Sequence, residues 1–407
     1  MIQKLDEVKV LRDPIHEYIH IEYQVIWDCL SSPEFQRLRR IHQLGATYQV
    51  YHSAEHSRFS HSLGVYEVVR RMVSEVEGLK DSLSEQERIE VMLAGMLHDI
   101  GHGPFSHSFE AVLDFNHEKM GTAIILGDSV LHRMLVKHDT GLPDRIVAIM
   151  THNHPNPILN QIISGQLDAD RMDYLLRDAY FTGTSYGTFD LERVLRTLRV
   201  HDDKLVVKES GVHTIEDYIM ARYHMYWQVY YHPVSRSFET ILIRFFKRLV
   251  YLNLTDAGIS KRFPMFAPFY HEGYPTLHEH FELDEAACFY AFSLARREPD
   301  PILSDLAGRL LDRRLFEYAE VETKEQADQQ RQQVIDAGFN PDYYFAIDSA
   351  HQKPYSPYQE NENSLIWIIN PKLEIKELSQ ASVLVAAIVR GEIKKDEKMY
   401  FPRETAL

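Results

Sequence analysis

VMLAGMLHDIGHGPFSH, residues 91–107, carries an apolar run straight into two ionisable side chains, His98 and Asp99. Burying a charge without a partner is costly, so something must compensate this pair. Working outward, Ser84 and Glu87 make a capping box. Ile89, Met92, Leu93, Met96 and Leu97 then fall at i, i+3, i+4, i+7 and i+8, the core stripe of a helix predicted to close with Gly101 as its C-cap. Upstream, in RFSHSLGVYEVVRR (58–71), His61 opens a second stripe through Val65, Val69, Met72, Val73 and Val76. Downstream, QLDADRMDYLLRDAY (166–180) places Asp170, Tyr174 and Asp178 on one helix face.

The three segments together offer His61, His98, Asp99 and Asp170 as metal donors. Imidazole and carboxylate donors suit one divalent transition metal, Mn, Fe, Ni or Zn. Taken alone, the His-Asp pair also fits a salt bridge or a helix cap; His61, Asp170, His102 and His107 favour the metal. Arg58, three residues before His61, carries a bidentate fork suited to phosphate.

The ordered segments DPIH (13–16), PEFQRLRRIHQLG (33–45), RFSHSLGV (58–65), HDIGHGPFSH (98–107), HEKMG (117–121) and DADRMDYLLRD (168–178) resemble the deoxynucleoside triphosphate triphosphohydrolases of the HD superfamily. That group includes the vertebrate enzyme with a SAM and an HD domain, and bacterial relatives without the SAM domain. The resemblance runs from about residue 5 to 250 and returns at RRLFEY (313–318). It implies metal-dependent hydrolysis of dNTPs to deoxynucleoside and inorganic triphosphate, with Mg accompanying the nucleotide. Arg58, His102 and His107 match phosphate-contacting or proton-donating positions, and His117 and Glu118 match a pair around the nucleophilic water. Gln43, Leu44, Arg171, Tyr174, Asp178, Arg222 and Tyr230 match substrate-binding positions, with Tyr174 excluding a 2′-hydroxyl and Asp178 taking the 3′-hydroxyl. The resemblance also implies a homotetramer with an activating nucleotide at subunit contacts, where Lys9, Val10, Gln36, Arg39, Arg193 and Arg313 match. Ser31, Lys208, Ser210, Pro233, Glu317 and, near the base, Tyr231 depart from the pattern, which leaves the activator and the base preference open. Two other readings stand beside this one: an HD phosphohydrolase of another nucleotide class, and a non-catalytic nucleotide sensor.

Composition sets the frame. The 407 residues are 44% hydrophobic and 26% charged, as in a soluble globular protein. A net charge of −16 disfavours a nucleic-acid surface. The chain shows no signal-peptide pattern and no membrane-length apolar run, so a cytoplasmic location is expected. Cys29 and Cys288 are too few for a disulfide framework. Most of the 22 histidines, His56 among them, lack a partner pattern and receive no role, and His152 and His154 read as structural.

The expected fold is mostly α: an HD-domain helical core over residues 1–255, then a smaller α+β region over 256–407 for packing and oligomerisation. A strand or turn is expected at VKVLRDPIHEYIHI (8–21), a hairpin around Asp202-Asp203, and a helix from Thr214 that lines up Arg222, Tyr226 and Tyr230. An apolar helix is expected over Phe238 to Leu252. The stretch to RREPDP (296–301) reads as loop-rich and irregular, and residues 320–338 as a polar helix. Strands follow at DYYFAIDS (342–349), SLIWIIN (364–370) and EKMYFP (397–402), with Ser379 to Val389 helical between the last two.

Overall fold

The computed structural model describes residues 3–112, 115–256, 258–271, 274–352, 355, 365–391 and 394–405. The side chain of His107, the expected leaving-group acid, lies outside the described residues, as does Ser364 of the second expected C-terminal strand. The fold is the expected mostly helical one, 61% helix and 13% strand, with small sheets in the C-terminal region. Its centre is a layer of three helices, Arg58–Glu75, Glu85–Leu97 and Ala169–Thr182. Ser84 and Glu87 do form the capping box, and every residue from Ile89 to Leu97 is buried. Gly95 lets the first two helices close together, since a Cβ there would stand 2.8 Å from Val69 Cγ2.

The end of the His-Asp helix differs from the sequence reading. Gly101 is not a left-handed cap; a Cβ on it would meet His117 O at 2.1 Å and Gly121 N at 2.4 Å. Its role is close approach, because the helix His117–Leu126 passes directly over the turn.

The N-terminal segment is an antiparallel hairpin, Lys4–Asp13 with Glu17–Tyr23. Asp202 and Asp203, at φ 48° and 55°, make the turn of the second hairpin, Leu198–His201 with Lys204–Lys208. Lys204–Lys208 also pairs in parallel with Trp367–Ile369, which joins the C-terminal region to the core in a four-stranded sheet. Lys394–Phe401 is the centre of a three-stranded sheet between Glu317–Glu320 and Ala346–Gln352.

The expected helix from Thr214 begins at Val212 and runs to Met225, then widens into a π turn over Tyr226–Tyr230. Tyr231 N donates to Tyr226 O, five residues back, at 2.8 Å. Such turns often mark functional sites; here Arg222 still lies over the Tyr226 ring, 5.8 Å from its centroid, and Tyr226 packs edge-on against Tyr230 at 5.2 Å. The long helix Pro233–Thr255 buries Phe238, Ile241, Leu242, Phe245, Phe246 and Leu249 on one face. Phe246 stacks on Phe269 with centroids 4.4 Å apart.

Helices Leu277–Glu282 and Glu285–Ala295 occupy the stretch expected to be irregular, and a helix Pro301–Leu311 follows it. Glu285–Ala295 is apolar nearly all round, so it shows no stripe in the sequence. The C-terminal helix is two pieces, Leu378–Ala381 and Val383–Arg390, with Ser382 capping the second at Val385 N. Among the described residues no helix is long and apolar enough to cross a membrane.

Candidate metal centre and active-site cavity

The three central helices bring His61, His98, Asp99 and Asp170 to one point. His61 Nε2 lies 3.0 Å from Asp170 Oδ1 and 3.8 Å from Asp99 Oδ2. His98 Nε2 lies 3.2 Å from Asp99 Oδ1 and 3.5 Å from Asp170 Oδ1. Each ring is anchored through its other nitrogen: His98 Nδ1 to Gly95 O and His61 Nδ1 to Asp173 Oδ2, both at 2.8 Å. Both Nε2 atoms therefore face the carboxylates, the orientation that metal-binding imidazoles take.

The donors fit a divalent cation. His98 Nε2 is buried and makes no hydrogen bond among the described residues. Burial opposes a charged His61 ring, yet hydrogen bonds to Asp170 and Asp173 outweigh it and lift its pKa to about 10. Burial pushes the Asp99 carboxyl up, but Arg58, His98 and His102 outweigh it and hold it well below the usual range. Two carboxylates facing two imidazoles call for positive charge between them, and nitrogen and oxygen donors suit a transition metal.

Arg58 is 5% exposed and bonds Asp99, while its Nη2 donates to Ser106 Oγ at 2.7 Å. Phe105 and Ser106 adopt φ of 55° and 47°, unusual for residues with side chains. The loop is clamped from outside, since Arg37 Nη1 donates to His102 O at 2.8 Å and Phe105 N to Glu285 Oε1 at 3.3 Å. Burial and the nearby Arg58 push His102 down to about 3, so its ring is neutral. It stacks on His117 with centroids 3.8 Å apart. His117 Nδ1 is 2.6 Å from Glu110 Oε1, and His102, Glu110 and His117 form a second group able to hold a cation. Glu118 stands exposed in the first turn of its helix.

A cavity of about 570 Å³ opens from this centre. Arg58, Asp99, His102, His117 and Asp170 line one end, and Gln43, Leu44, Tyr174, Asp178, Tyr226 and Tyr230 its middle. Asp178 is held on both oxygens, by His56 Nε2 at 2.8 Å and the Tyr230 hydroxyl at 2.7 Å. Tyr231, Arg236, Glu239 and Asp348 line the far end. Arg171 and Arg222 are not in the lining: Arg171 is spent on Gly165 O and Asp168, and Arg222 Nη1 donates to Gln166 Oε1 at 3.0 Å.

The expected regulatory residues also lie outside the cavity lining. Lys9 and Val10 sit on the first strand, and Val10 is 49% exposed. Arg39 covers the Phe59 ring at 3.5 Å and bonds Gln36 Oε1 at 2.8 Å. Arg193 donates to Ser210 O at 3.1 Å and Arg313 to Gln49 O at 2.8 Å.

Residues 58–178 match the HD domain and residues 189–262 the HD associated region. The uncharacterized protein YwfO of Bacillus subtilis is 45% identical over 98% of this chain and 94% of its own. The chain belongs to the HD-domain family. A phosphohydrolase from Bacteroides thetaiotaomicron of known crystal structure is similar to this HD-domain protein, with a TM-score of 0.86, 29% identity, and coverage of 98% of this chain and 100% of that one. The deoxynucleoside triphosphate triphosphohydrolase SAMHD1 homolog of Dictyostelium discoideum is 30% identical over 58% of this chain and 49% of its own. The resemblance to HD-superfamily dNTP triphosphohydrolases stands on these matches. HD domains are metal-dependent, and the family supports a hydrolase.

Several residues of this HD domain escaped the sequence reading. His56 sits in a polar stretch and gains its partner only from a helix 122 residues away. Ser106 was hidden in a loop. Asp173 and Arg177, at i and i+4 on the Asp170 helix, did carry a signal, that of a helical ion pair.

Proposed function

We propose that this HD-domain protein hydrolyses deoxynucleoside triphosphates to the deoxynucleoside and inorganic triphosphate, in the cytoplasm. The observation that carries the reading is the continuity of one cavity, from the donor carboxylates Asp99 and Asp170 and Arg58 to the Tyr174–Asp178–Tyr230 wall. His61, His98, Asp99 and Asp170 hold the divalent transition metal, which supplies Lewis acidity and lowers the pKa of water. Arg58, fixed by Asp99 and Ser106, stabilises charge developing on the phosphoryl oxygens. Water attacks the α-phosphorus, the bond to the 5′-oxygen breaks, and that oxygen takes a proton, the role the resemblance gives to His107. His102, His117 and Glu118 support the water. Tyr174 fills the space beside C2′, and Asp178, prearranged by His56 and Tyr230, accepts the 3′-hydroxyl. Gln43 and Leu44 close on the sugar and base, and Arg171 and Arg222 swing from Asp168 and Gln166 to the triphosphate carried with Mg.

Lys9, Val10, Gln36, Arg39, Arg193 and Arg313 serve an activating nucleotide at contacts within a homotetramer. Their position away from the cavity and their exposed cations support this part of the reading.

The test is tripolyphosphate release from each dNTP, alone and in pairs, with Mn(II) and Mg(II) supplied and the mass in solution recorded. Tripolyphosphate from dNTPs and not NTPs is the expected result. Orthophosphate or a monophosphate product would assign another nucleotide class, and inertness towards every nucleotide a sensor.

A further inference from the structure

Behind His61, on the side away from the cavity, lies a closed group of buried charges. Asp173 Oδ2 takes His61 Nδ1 at 2.8 Å, and its Oδ1 lies 2.6 Å from His16 Nε2. Arg177 donates to both Asp173 oxygens, Nε at 2.8 Å and Nη2 at 2.9 Å. The same guanidinium reaches Asp13, with Nη1 at 2.9 Å and Nη2 at 3.3 Å. Asp13 Oδ1 also accepts the backbone N–H groups of Ile15 and His16 at 2.9 and 3.0 Å, which shapes the hairpin turn. The side chains of His16, Asp173, Arg177 and His61 are 2%, 0%, 0% and 0% exposed.

A carboxylate with three side-chain partners cannot rotate, so the ring it holds cannot either. The closeness of the group is built into the backbone, since a Cβ on Gly64 would stand 1.8 Å from Asp173 Oδ1 and 2.3 Å from Arg177 Nη2. The helix Ala169–Thr182 supplies Asp173 and Arg177, but both remaining partners come from a hairpin more than 150 residues earlier in the chain.

We propose that the Asp13–His16 turn of the N-terminal hairpin is a positioning element of the metal centre, holding Asp173 and through it the imidazole of His61. This rests on the reading of His61 as a metal ligand. Asp13 and His16 touch neither metal nor substrate. They restrict His61 to the rotamer and tautomer in which Nε2 faces Asp99 and Asp170, and such outer partners typically contribute 10- to 100-fold in metal affinity.

The test uses the full chain and Mn(II) as probe, followed by calorimetry and by the Mn(II) electron paramagnetic resonance spectrum. Wild type binds Mn(II) and His61→Ala does not. His16→Ala and Asp13→Asn are expected to weaken Mn(II) binding by about 10- to 100-fold and to alter the spectrum. His16→Gln, whose amide nitrogen replaces Nε2, is expected to restore affinity and spectrum. Should His16→Ala fail to fold by circular dichroism, the isosteric Asp13→Asn and the His16→Gln comparison decide. Wild-type affinity in Asp13→Asn and His16→Ala, with His61→Ala still inactive in binding, overturns the proposal while leaving the metal reading intact. Wild-type affinity in His61→Ala overturns that reading, and the proposal with it.

Discussion

The Tyr230 hydroxyl donates to Asp178 Oδ2 across 2.7 Å, from a π turn to the last third of the Asp170 helix. With His56 on the other oxygen, the carboxylate is oriented before any ligand arrives. Loss of one partner at a buried polar group costs about 1–3 kcal/mol, and 1.4 kcal/mol is about tenfold. Tyr230→Phe and His56→Ala should therefore each raise KM for a dNTP about tenfold while changing kcat far less, measured by steady-state tripolyphosphate release.

Tyr174 stands between the metal end and Tyr230, with ring centroids 6.5 Å from His61 and 6.1 Å from Tyr230. Tyr174→Ala should open that space and raise the ratio of NTP to dNTP kcat/KM by about tenfold or more. Equal losses on both substrate types would contradict a role as the sugar wall.

Metal binding should register as stability, because the donors converge only in the folded chain. Mn(II) at about 100 times its Kd adds about 2.7 kcal/mol, seen as a rise in Tm that EDTA reverses. Asp170→Ala should remove both the rise and all turnover.

Gly64→Ala drives a methyl into Asp173 and Arg177. Overpacking costs about 1–3 kcal/mol and breaking a buried ion pair about 3–5 kcal/mol, so the denaturation midpoint should fall steeply. A near-neutral result would mean that this junction yields more easily than its distances imply.

Glu239, at the far end of the cavity, is raised to about 7 by burial and by Asp348, against the opposing pull of Arg236. Between its ordinary value of 4.5 and about 7, the folded chain keeps a proton that the unfolded chain has released. Stability therefore falls as pH rises through that window. Glu239→Gln should flatten the fall and gain about 2 kcal/mol at pH 8, a figure reduced from the full shift because the side chain reaches the cavity.

Much of the centre was legible because helical periodicity is local. A stripe of apolar residues ending on His98-Asp99, another opening at His61, and Asp170 in line with Tyr174 and Asp178 each follow from spacing alone. The helix Glu285–Ala295 was not legible, since apolar residues such as Ala286 and Tyr290 stand on its exposed face and blur the stripe. Gly101 was misread because the chain folds back after the loop and lays the His117 helix over it, a contact beyond the reach of helical spacing.

The sequence by itself determined the helical class, the donor types for the metal and the helices that present them, because these depend on residue chemistry and on contacts within a few turns. Only the tertiary structure decided what surrounds them: His56 against Asp178, Arg171 and Arg222 outside the cavity lining, and the Asp13–His16 turn behind His61. The pairings of His56 with Asp178 and of His16 with Asp173 join residues far apart in the chain, and no local pattern encodes which distant charge a buried side chain will meet.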